Sequence, residues 1–249
     1  MASVTQFDTQ TVRDWTNPQD DTAAIVKFPY EFVAPPRLAL GLSQLDVDYK
    51  FNIRVKATAE KIQRDSAIYH ITSWSDTLLY SGVVNSLDLA PANLEFRAGE
   101  HMRDLLANPN SPDGHGWRLE TTAVNVDRKG FTLKIRTWAD TILYRAQAAW
   151  VAYPEDREHI FSTSVNTDEV RPWTSPQAKT SKYKPFLGIK FARPPIVFVG
   201  LNTFDIKCGL NFRVNARVDN VSTSGFTWHL DTWGGTSLYS AGATIIAFD

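Results

Sequence analysis

Two long stretches of this sequence repeat each other, and this duplication constrains the fold more than any other feature. Residues 32–62 align with residues 191–221 without a gap at an offset of 159, and the match continues through Trp74 and Trp233. The motif V-R-x-W-T occupies residues 12–16 and again residues 170–174. Agreement of this length predicts two units with the same arrangement of secondary structure.

A third, shorter copy lies between them. The segment W-A-D-T-I-L-Y at 138–144 repeats W-S-D-T-L-L-Y at 74–80 at an offset of 64. The segment before its repeated Arg, which we call the lead-in of a copy, is much shorter than in the other two copies: Pro109 precedes Gly116 by only 7 residues. The middle copy is therefore predicted to lack the strand that follows Pro-Pro in the other copies. We divide the chain into a first copy at 1–90, a shortened second copy at 91–155 and a third copy at 156–249.

Hydrophobic periodicity predicts antiparallel strands. Apolar and polar residues alternate strictly at 51–59 and 210–218, which is typical of strands buried on one face. The apolar runs at 38–42 and 196–201 each follow Pro-Pro and predict central strands buried on both faces. The fold class is thus all-β: tandem small antiparallel β-sandwiches of about six strands each, with a truncated middle copy.

The turns carry their own predictions. Gly130 and Gly225 are expected to supply the positive φ of two equivalent hairpin loops. Ser66 holds the matching position in the first copy, which predicts a different turn there. A helical pattern is found only in one short stretch, at 101–107.

Overall charge and the length of the apolar runs argue against nucleic acids and membranes as partners. The formal net charge is −1 and the pI is about 6.5, so we expect no nucleic-acid binding. No stretch approaches the roughly 20 apolar residues that span a bilayer, so we expect no membrane insertion. The single cysteine, Cys208, and a start without a secretory leader predict a cytoplasmic or non-classically secreted protein.

Three repeated Trp–Arg pairs are the best candidates for function. Strand parity predicts that Trp74, Trp138 and Trp233 lie on polar faces, each beside an arginine on the neighbouring strand. An indole can stack on the apolar face of a pyranose, and a guanidinium can donate to vicinal hydroxyls. This combination predicts a sugar site. The competing interpretation is a Trp that only covers the end of the sandwich while the arginine stem packs against it.

The spacing F-x-x-P-P, N-x-R-V-x-A, N-V-x-x-x-G-F and W-x-x-T-x-x-Y resembles the H-type lectin domain of snail agglutinins and discoidins. Residues 191–239 carry nearly all of it, residues 32–80 lack only the Gly-Phe, and the middle copy carries the back half. The resemblance implies a six-stranded sandwich that usually assembles as a trimer. It also implies metal-free sites near subunit interfaces for galactose or N-acetylgalactosamine. Snail members have His after the Trp, where this chain has Ser75, Ala139 and Gly234.

The resemblance also implies which residues contact sugar, with the first copy ranked above the third and the middle copy last. They are Asp20, Asp21, Asn52, Arg54, Trp74 and Tyr80 in the first copy, Arg118, Trp138 and Tyr144 in the middle copy, and Asn211, Arg213, Trp233 and Tyr239 in the third. The expected partners are glycans or glycoproteins. Three linked copies suggest a monomeric pseudo-trimer, meaning three diverged copies in place of three identical subunits, or a low-order homo-oligomer. An adhesive or defensive role follows only by analogy.

Three signals for catalysis or metal binding are weaker. Asp46 and Asp205 recur, and we interpret them as residues that cap turns and not as a glycosidase pair. His70 and His229 recur without a partner nucleophile, and the Asp113–His115 pair is too small for a metal site. We therefore expect no catalysis, no metal and no cofactor. The alternatives are a structural or adhesion protein without a working sugar site and a glycoside hydrolase.

Overall fold

A computed structural model describes residues 2–90, 116–154 and 157–249 in full, and residues 101–107 as backbone only. Sixteen strands and two short 3₁₀ helices, Thr9–Thr11 and Thr167–Glu169, make up its regular structure. No helix in these ranges is long and apolar enough to cross a membrane.

The first and third copies each contribute six strands, and the described part of the middle copy contributes four. The first copy holds β1 (Ala2–Asp8), β2 (Asp21–Lys27), β3 (Arg37–Val47), β4 (Ile53–Glu60), β5 (Ser66–Ser73) and β6 (Leu79–Leu89). The middle copy holds β7 (His101–Ala107), β8 (Gly116–Val124), β9 (Thr132–Arg136) and β10 (Thr141–Gln147). The third copy holds β11 (Ile160–Asn166), β12 (Lys179–Pro185), β13 (Ile196–Lys207), β14 (Phe212–Asp219), β15 (Gly225–Asp231) and β16 (Leu238–Phe248).

Every sheet joins strands of two copies. One sheet runs β1-β6-β3-β14-β15-β12 and links the first copy to the third. The second runs β10-β7-β4-β5-β2 and links the middle copy to the first, and the last runs β11-β16-β13-β8-β9 and links the third copy to the middle. Each copy therefore packs two half-sheets as a sandwich, and each half-sheet continues into a neighbouring copy. The three copies form a closed cycle.

The core follows the predicted strand pattern. Strand β4 alternates buried and half-buried residues, and β3 is buried almost throughout its length, as its apolar run after Pro-Pro predicts. The main hydrophobic cluster is shared between copies: Trp117 of the middle copy and Phe212 of the third, at equivalent positions, are both fully buried with ring centroids 5.8 Å apart. Large aromatic side chains thus fill the space where the copies meet.

The middle copy departs from two predictions. Residues 101–107 form strand β7 and not a helix. This strand pairs with β4 and β10, just as β3 pairs with β14 and β6, so the middle copy retains a counterpart of the Pro-Pro strand. Within its described residues, the middle copy has no counterpart of the lead-in that supplies β1 and β2 in the first copy. Long-range pairing within the sheet overrides the weak local helical pattern.

The hairpin turns also differ from prediction. Lys61, Asn125 and Asn220, at equivalent positions of the three copies, have φ of 48°, 54° and 50°. Gly130 has φ of 158°, which is close to extended backbone, and Gly225 lies inside β15. The same backbone hydrogen bond closes each turn, at 2.8, 2.8 and 2.9 Å. The first copy therefore makes the same turn as the others, because a left-handed residue is required at the start of the turn and not at its end.

Candidate functional site

Each repeated Trp stands at the start of a tight turn. The residue after it, Ser75, Ala139 or Gly234, has φ of 61°, 54° or 61°. Three residues after each Trp, a buried Thr donates its hydroxyl proton to a backbone oxygen two residues before the repeated Arg, at 2.6 Å in every copy. The threonine of the W-x-x-T motif therefore ties the Trp turn to the strand that carries the arginine. All three Trp side chains are half-buried, which fits the predicted polar face.

The repeated Arg makes an ion pair with the next copy. Arg213 of β14 lies opposite Asp46 of β3, and its Nε donates to both carboxylate oxygens at 3.0 and 3.1 Å. Arg118 of β8 lies opposite Asp205 of β13, with Nε 3.1 Å from Oδ1. The interpretation of Asp46 and Asp205 as turn caps is therefore wrong: both are strand residues that neutralise an arginine across a junction between copies.

The third junction follows the same register. Arg54 of β4 lies opposite Asp104 of β7 and also forms an ion pair with Asp76 in its own Trp turn. Arg118 makes the corresponding pair with Asp140. In the third copy Gly235 stands at this position, so that junction lacks the second carboxylate.

A cleft of about 450 Å³ opens at the junction between the third and first copies; we call it cleft A. Its lining comes from both copies, so neither copy contains the complete site. The third copy supplies Arg213, Asn215 and Trp233, and the first copy supplies Gln10, Trp15, Gln44, Asp46 and Ser81.

Tyr80 lies beside cleft A, in contact with the lining residue Trp15. Its ring makes an edge contact with Trp15, centroids 6.4 Å apart, and its hydroxyl donates to Asp48 at 2.8 Å. Burial and the hydrogen bond to Asp48 raise the pKa of Tyr80 to about 12, and the charges of Asp46 and Arg213 also act on it. The predicted trio Arg54, Trp74 and Tyr80 is therefore split between two junctions.

A shared bulge explains this regrouping. Tyr80, Tyr144 and Tyr239 each fall on the extra residue where the pairing of β6, β10 or β16 shifts register. The bulge lies beside the aspartate position of its own copy, and that aspartate faces the arginine of another copy. Each Tyr thus lies beside the strand position that is opposite the arginine of a different repeat.

Sequence reasoning missed the lead-in tryptophans. Trp15 and Trp173 expose 55% and 59% of their surface, although apolar side chains of this size are usually buried. Trp173 makes the same edge contact with Tyr239, at 6.3 Å, as Trp15 makes with Tyr80. The repeated V-R-x-W-T motif was the available signal for both residues.

The arginine of that motif holds the lead-in in place. Arg13, only 7% exposed, donates to the backbone oxygens of Leu79 and Tyr80 at 2.8 and 2.9 Å and to the hydroxyl of Thr22 at 2.6 Å. Arg171 makes the equivalent bonds to the backbone oxygens of the third copy, both at 2.9 Å, and to a Thr hydroxyl. These buried guanidinium groups fix the loop that carries the exposed Trp beside the cleft.

Equivalent residues meet at the junction of the middle and third copies, and we call this junction cleft B. The pairing of β8 with β13 matches that of β14 with β3, residue for residue. By position, cleft B comprises the counterparts of the eight residues that line cleft A. We add Asp140, the counterpart of Gly235. The middle copy supplies Arg118, Glu120, Trp138 and Asp140, and the third copy supplies Asp168, Trp173, Thr203, Asp205 and Ser240.

The remaining predicted residues lie elsewhere. Asp21 accepts a hydrogen bond from His70 at 3.0 Å on the outer face of β2 and β5, and the backbone oxygen of Asp20 accepts from Ser73 at 2.7 Å. Asn52 provides the backbone oxygen bound by the turn threonine of its copy. Tyr144 is largely exposed at its bulge. Of the two lead-in carboxylates, that of Asp21 therefore pairs with His70.

Burial raises the pKa of one carboxyl group in each cleft. It raises the pKa of Asp46, while hydrogen bonds from Arg213, Asn211 and Trp233 oppose the rise. It also raises the pKa of Asp205, where Arg118 and Trp138 oppose the rise and the charge of Asp168 adds to it. In both clefts, indole and guanidinium groups therefore converge on one partly desolvated carboxylate.

Metal ligands do not cluster in the described residues: nowhere do three or more His, Cys, Asp or Glu side chains come together as a metal site would require. The Asp113–His115 pair lies outside the part of the chain that the structure describes. Cys208 packs against the main core as a partly buried residue.

Comparisons with known proteins agree with the repeat pattern. The family model of the H-type lectin domain matches residues 24–85, 106–153 and 185–248, which together make up more than half of the chain. A search of curated proteins finds no match. A domain of this family suggests a carbohydrate-binding lectin, and the family is generally non-catalytic. The chain belongs to the H-type lectin domain family, with the domain repeated along its length.

Proposed function

We propose that this protein is a multivalent lectin whose sugar sites are the clefts between copies, with cleft A as the principal site. The observation that carries the proposal is the convergence of Trp15 and Trp233, from different copies, on one Arg213–Asp46 pair. Two aromatic surfaces with a fixed donor and acceptor between them suit a pyranose, which has apolar C–H faces and a rim of hydroxyls.

The other residues lining cleft A support a neutral ligand. Gln10, Gln44, Asn215 and Ser81 offer amide and hydroxyl groups that can both donate and accept hydrogen bonds. Asp46 accepts from vicinal hydroxyls while Arg213 balances its charge, so a neutral sugar adds no unpaired charge to the site. The exposed Trp15 ring is available for stacking at the mouth of the cleft.

Several clefts on one rigid body would increase the apparent affinity for a surface that displays many glycans. Cleft B repeats the Trp, Arg and Asp of cleft A at the next junction. The junction that contains Arg54 and Trp74 has no lead-in Trp within the described residues, so it is the weakest candidate. Two sites linked by the fold bind a multivalent glycan by avidity, with no need for new contacts.

The test is a glycan array with labelled wild-type protein, followed by calorimetric titration of the best neutral sugar. We expect Trp233→Ala to weaken binding about fivefold to tenfold, because loss of a stacked aromatic costs about 1–1.5 kcal/mol. Trp74→Ala is the matched control: it removes the equivalent residue from the junction without a described lead-in Trp, and we expect little change in affinity.

Urea unfolding of both variants separates a lost site from a lost fold. The proposal is wrong if the wild type binds no glycan on the array. It is also wrong if Trp233→Ala, still folded, binds as tightly as wild type. Hydrolysis of a reporter glycoside would instead favour an enzyme.

A further inference from the structure

Clefts A and B are built alike but lined differently. Gln10 and Asp168 hold the same position, the second residue of each 3₁₀ helix, and both are exposed. Asn215 and Glu120 hold the same position on β14 and β8, since Asn215 lies opposite Gln44 and Glu120 lies opposite Thr203. At both positions a neutral amide of cleft A is replaced by a carboxylate in cleft B.

The Trp turn adds a further difference. Asp140 of cleft B is paired with Arg118, whereas the equivalent residue of cleft A is Gly235. Arg118 therefore lies between Asp140 and Asp205, while Arg213 is paired with Asp46 and donates its other hydrogen bond to the backbone oxygen of Gly234 at 3.2 Å. The guanidinium of Arg213 therefore faces one carboxylate in cleft A, and that of Arg118 faces two in cleft B. Asp168 and Glu120 add two further carboxylates to cleft B.

Nearby cations reduce this excess only in part. Arg136 pairs with Glu120, and Lys182 and Lys184 pair with Glu169, the neighbour of Asp168. Arg171 lies near Asp168, but its equivalent Arg13 holds the same place beside cleft A. Among the residues that line the clefts the contrast therefore persists, with Asp168 as its most exposed member. Outside the lining the contrast is smaller, because Asp48, the partner of Tyr80, has Lys207 as its equivalent in the third copy.

We propose that cleft B prefers sugars with a free, protonated amino group, whereas cleft A prefers neutral sugars. This inference rests on the proposed function, because it assumes that both clefts bind sugar. A 2-amino sugar keeps the pyranose faces that can stack on Trp138 and Trp173. Its ammonium group can also donate charge-assisted hydrogen bonds to Asp168 and Asp140. The protein would then carry two specificities on one chain.

The test follows the indole N–H signals of ¹⁵N-labelled full-length protein, assigned to the clefts with Trp138→Phe and Trp233→Phe. Galactosamine and glucosamine are titrated beside their N-acetylated forms, at slightly acidic pH and at low and high salt. In the wild type we expect the amine to bind cleft B about fivefold more tightly than its N-acetylated form at low salt, because one added charge contact of this kind is worth about 1 kcal/mol. High salt should reduce the preference.

Two reciprocal variants decide the role of the carboxylate. Asp168→Gln gives cleft B the residue of cleft A and should abolish most of its preference for the amine, and Gln10→Asp should create such a preference in cleft A. Both residues are exposed, so neither change disturbs the core. The proposal is overturned if the wild type shows no preference at cleft B, or if Asp168→Gln leaves that preference unchanged.

Failure here is distinguishable from failure of the proposed function. Neutral sugar binding at cleft A without an amine preference at cleft B overturns only this inference. Absence of sugar binding at both clefts overturns this inference and the lectin proposal together.

Discussion

Asp88 lies in the core of the first copy with no cation beside it among the described residues. Its carboxylate accepts hydrogen bonds from Ser3 at 2.8 Å, from Ser86 at 2.6 Å, and from Thr5 and Tyr69 at 3.3 Å. Four hydroxyl donors stabilise the ionised form, but burial outweighs them and raises the pKa of Asp88 from 3.8 to about 6. The third copy has Ala247 at this position, so the network belongs to one copy.

This shift has a defined sign for stability. Between about pH 4 and pH 6 the folded chain holds the Asp88 proton and the unfolded chain has released it, so stability falls as pH rises through this window. We expect Asp88→Asn to remove that fall. The difference in unfolding free energy between wild type and variant should change by roughly 3 kcal/mol across the window, since each pKa unit is worth 1.36 kcal/mol.

Urea unfolding at a series of pH values measures this difference. Asp20→Asn, which changes an exposed carboxylate of the same copy, provides the baseline. Parallel stability curves for wild type and Asp88→Asn would show that Asp88 ionises in the folded chain as it does in water.

Among the strands and loops, the lead-in loop is the part that decides whether a cleft is complete. Its position depends on one buried arginine, which bonds two adjacent backbone oxygens with its planar fork. Lysine carries the charge but cannot make the same set of bonds. The backbone oxygens of Leu79 and Tyr80 would then lose partners inside the protein.

We expect Arg13→Lys to lower the free energy of unfolding by about 2 kcal/mol and to weaken sugar binding at cleft A. Binding at cleft B should stay unchanged, because Arg171 holds that lead-in independently. Arg171→Lys should give the reverse pattern. Titrations followed by the assigned Trp signals measure each cleft separately, and equal losses at both clefts would mean that the arginine acts only through global stability.

The hairpin turns show which element features are readable from sequence. The strands on either side were predicted correctly from alternation, because side-chain burial on a strand follows a period of two. The turn itself was assigned to the wrong residue, because Gly is common in hairpins and Asn125 and Asn220 also tolerate a positive φ. Lys61 has no sequence signal for this conformation, and only its equivalence to the two asparagines reveals it.

At the scale of the whole molecule, the three copies close on themselves. Each Arg-bearing strand pairs with the Asp-bearing strand of another copy, in the order first to middle, middle to third and third to first. This is the arrangement of a cyclic trimer within one chain. The three junctions that identical subunits would form between chains are therefore formed within one chain.

We therefore expect a monomer in solution. Size-exclusion chromatography with light scattering should give a mass near 28.0 kDa at low and high protein concentration. A stable homotrimer would contradict the pseudo-trimer, since it would need a junction surface that the closed cycle does not leave open.

The sequence by itself determined the repeats, the all-β class, the central strands and the Trp and Arg residues that every copy presents. These features are local: a period of two reports burial, and an internal repeat reports equivalent positions. The tertiary structure decided which of these residues meet. Arg213 faces Asp46, and Tyr80 lies within the electrostatic reach of both, because the strands exchange partners between copies. Pairing between strands so far apart in sequence depends on how the whole sheet closes, and no local pattern encodes it.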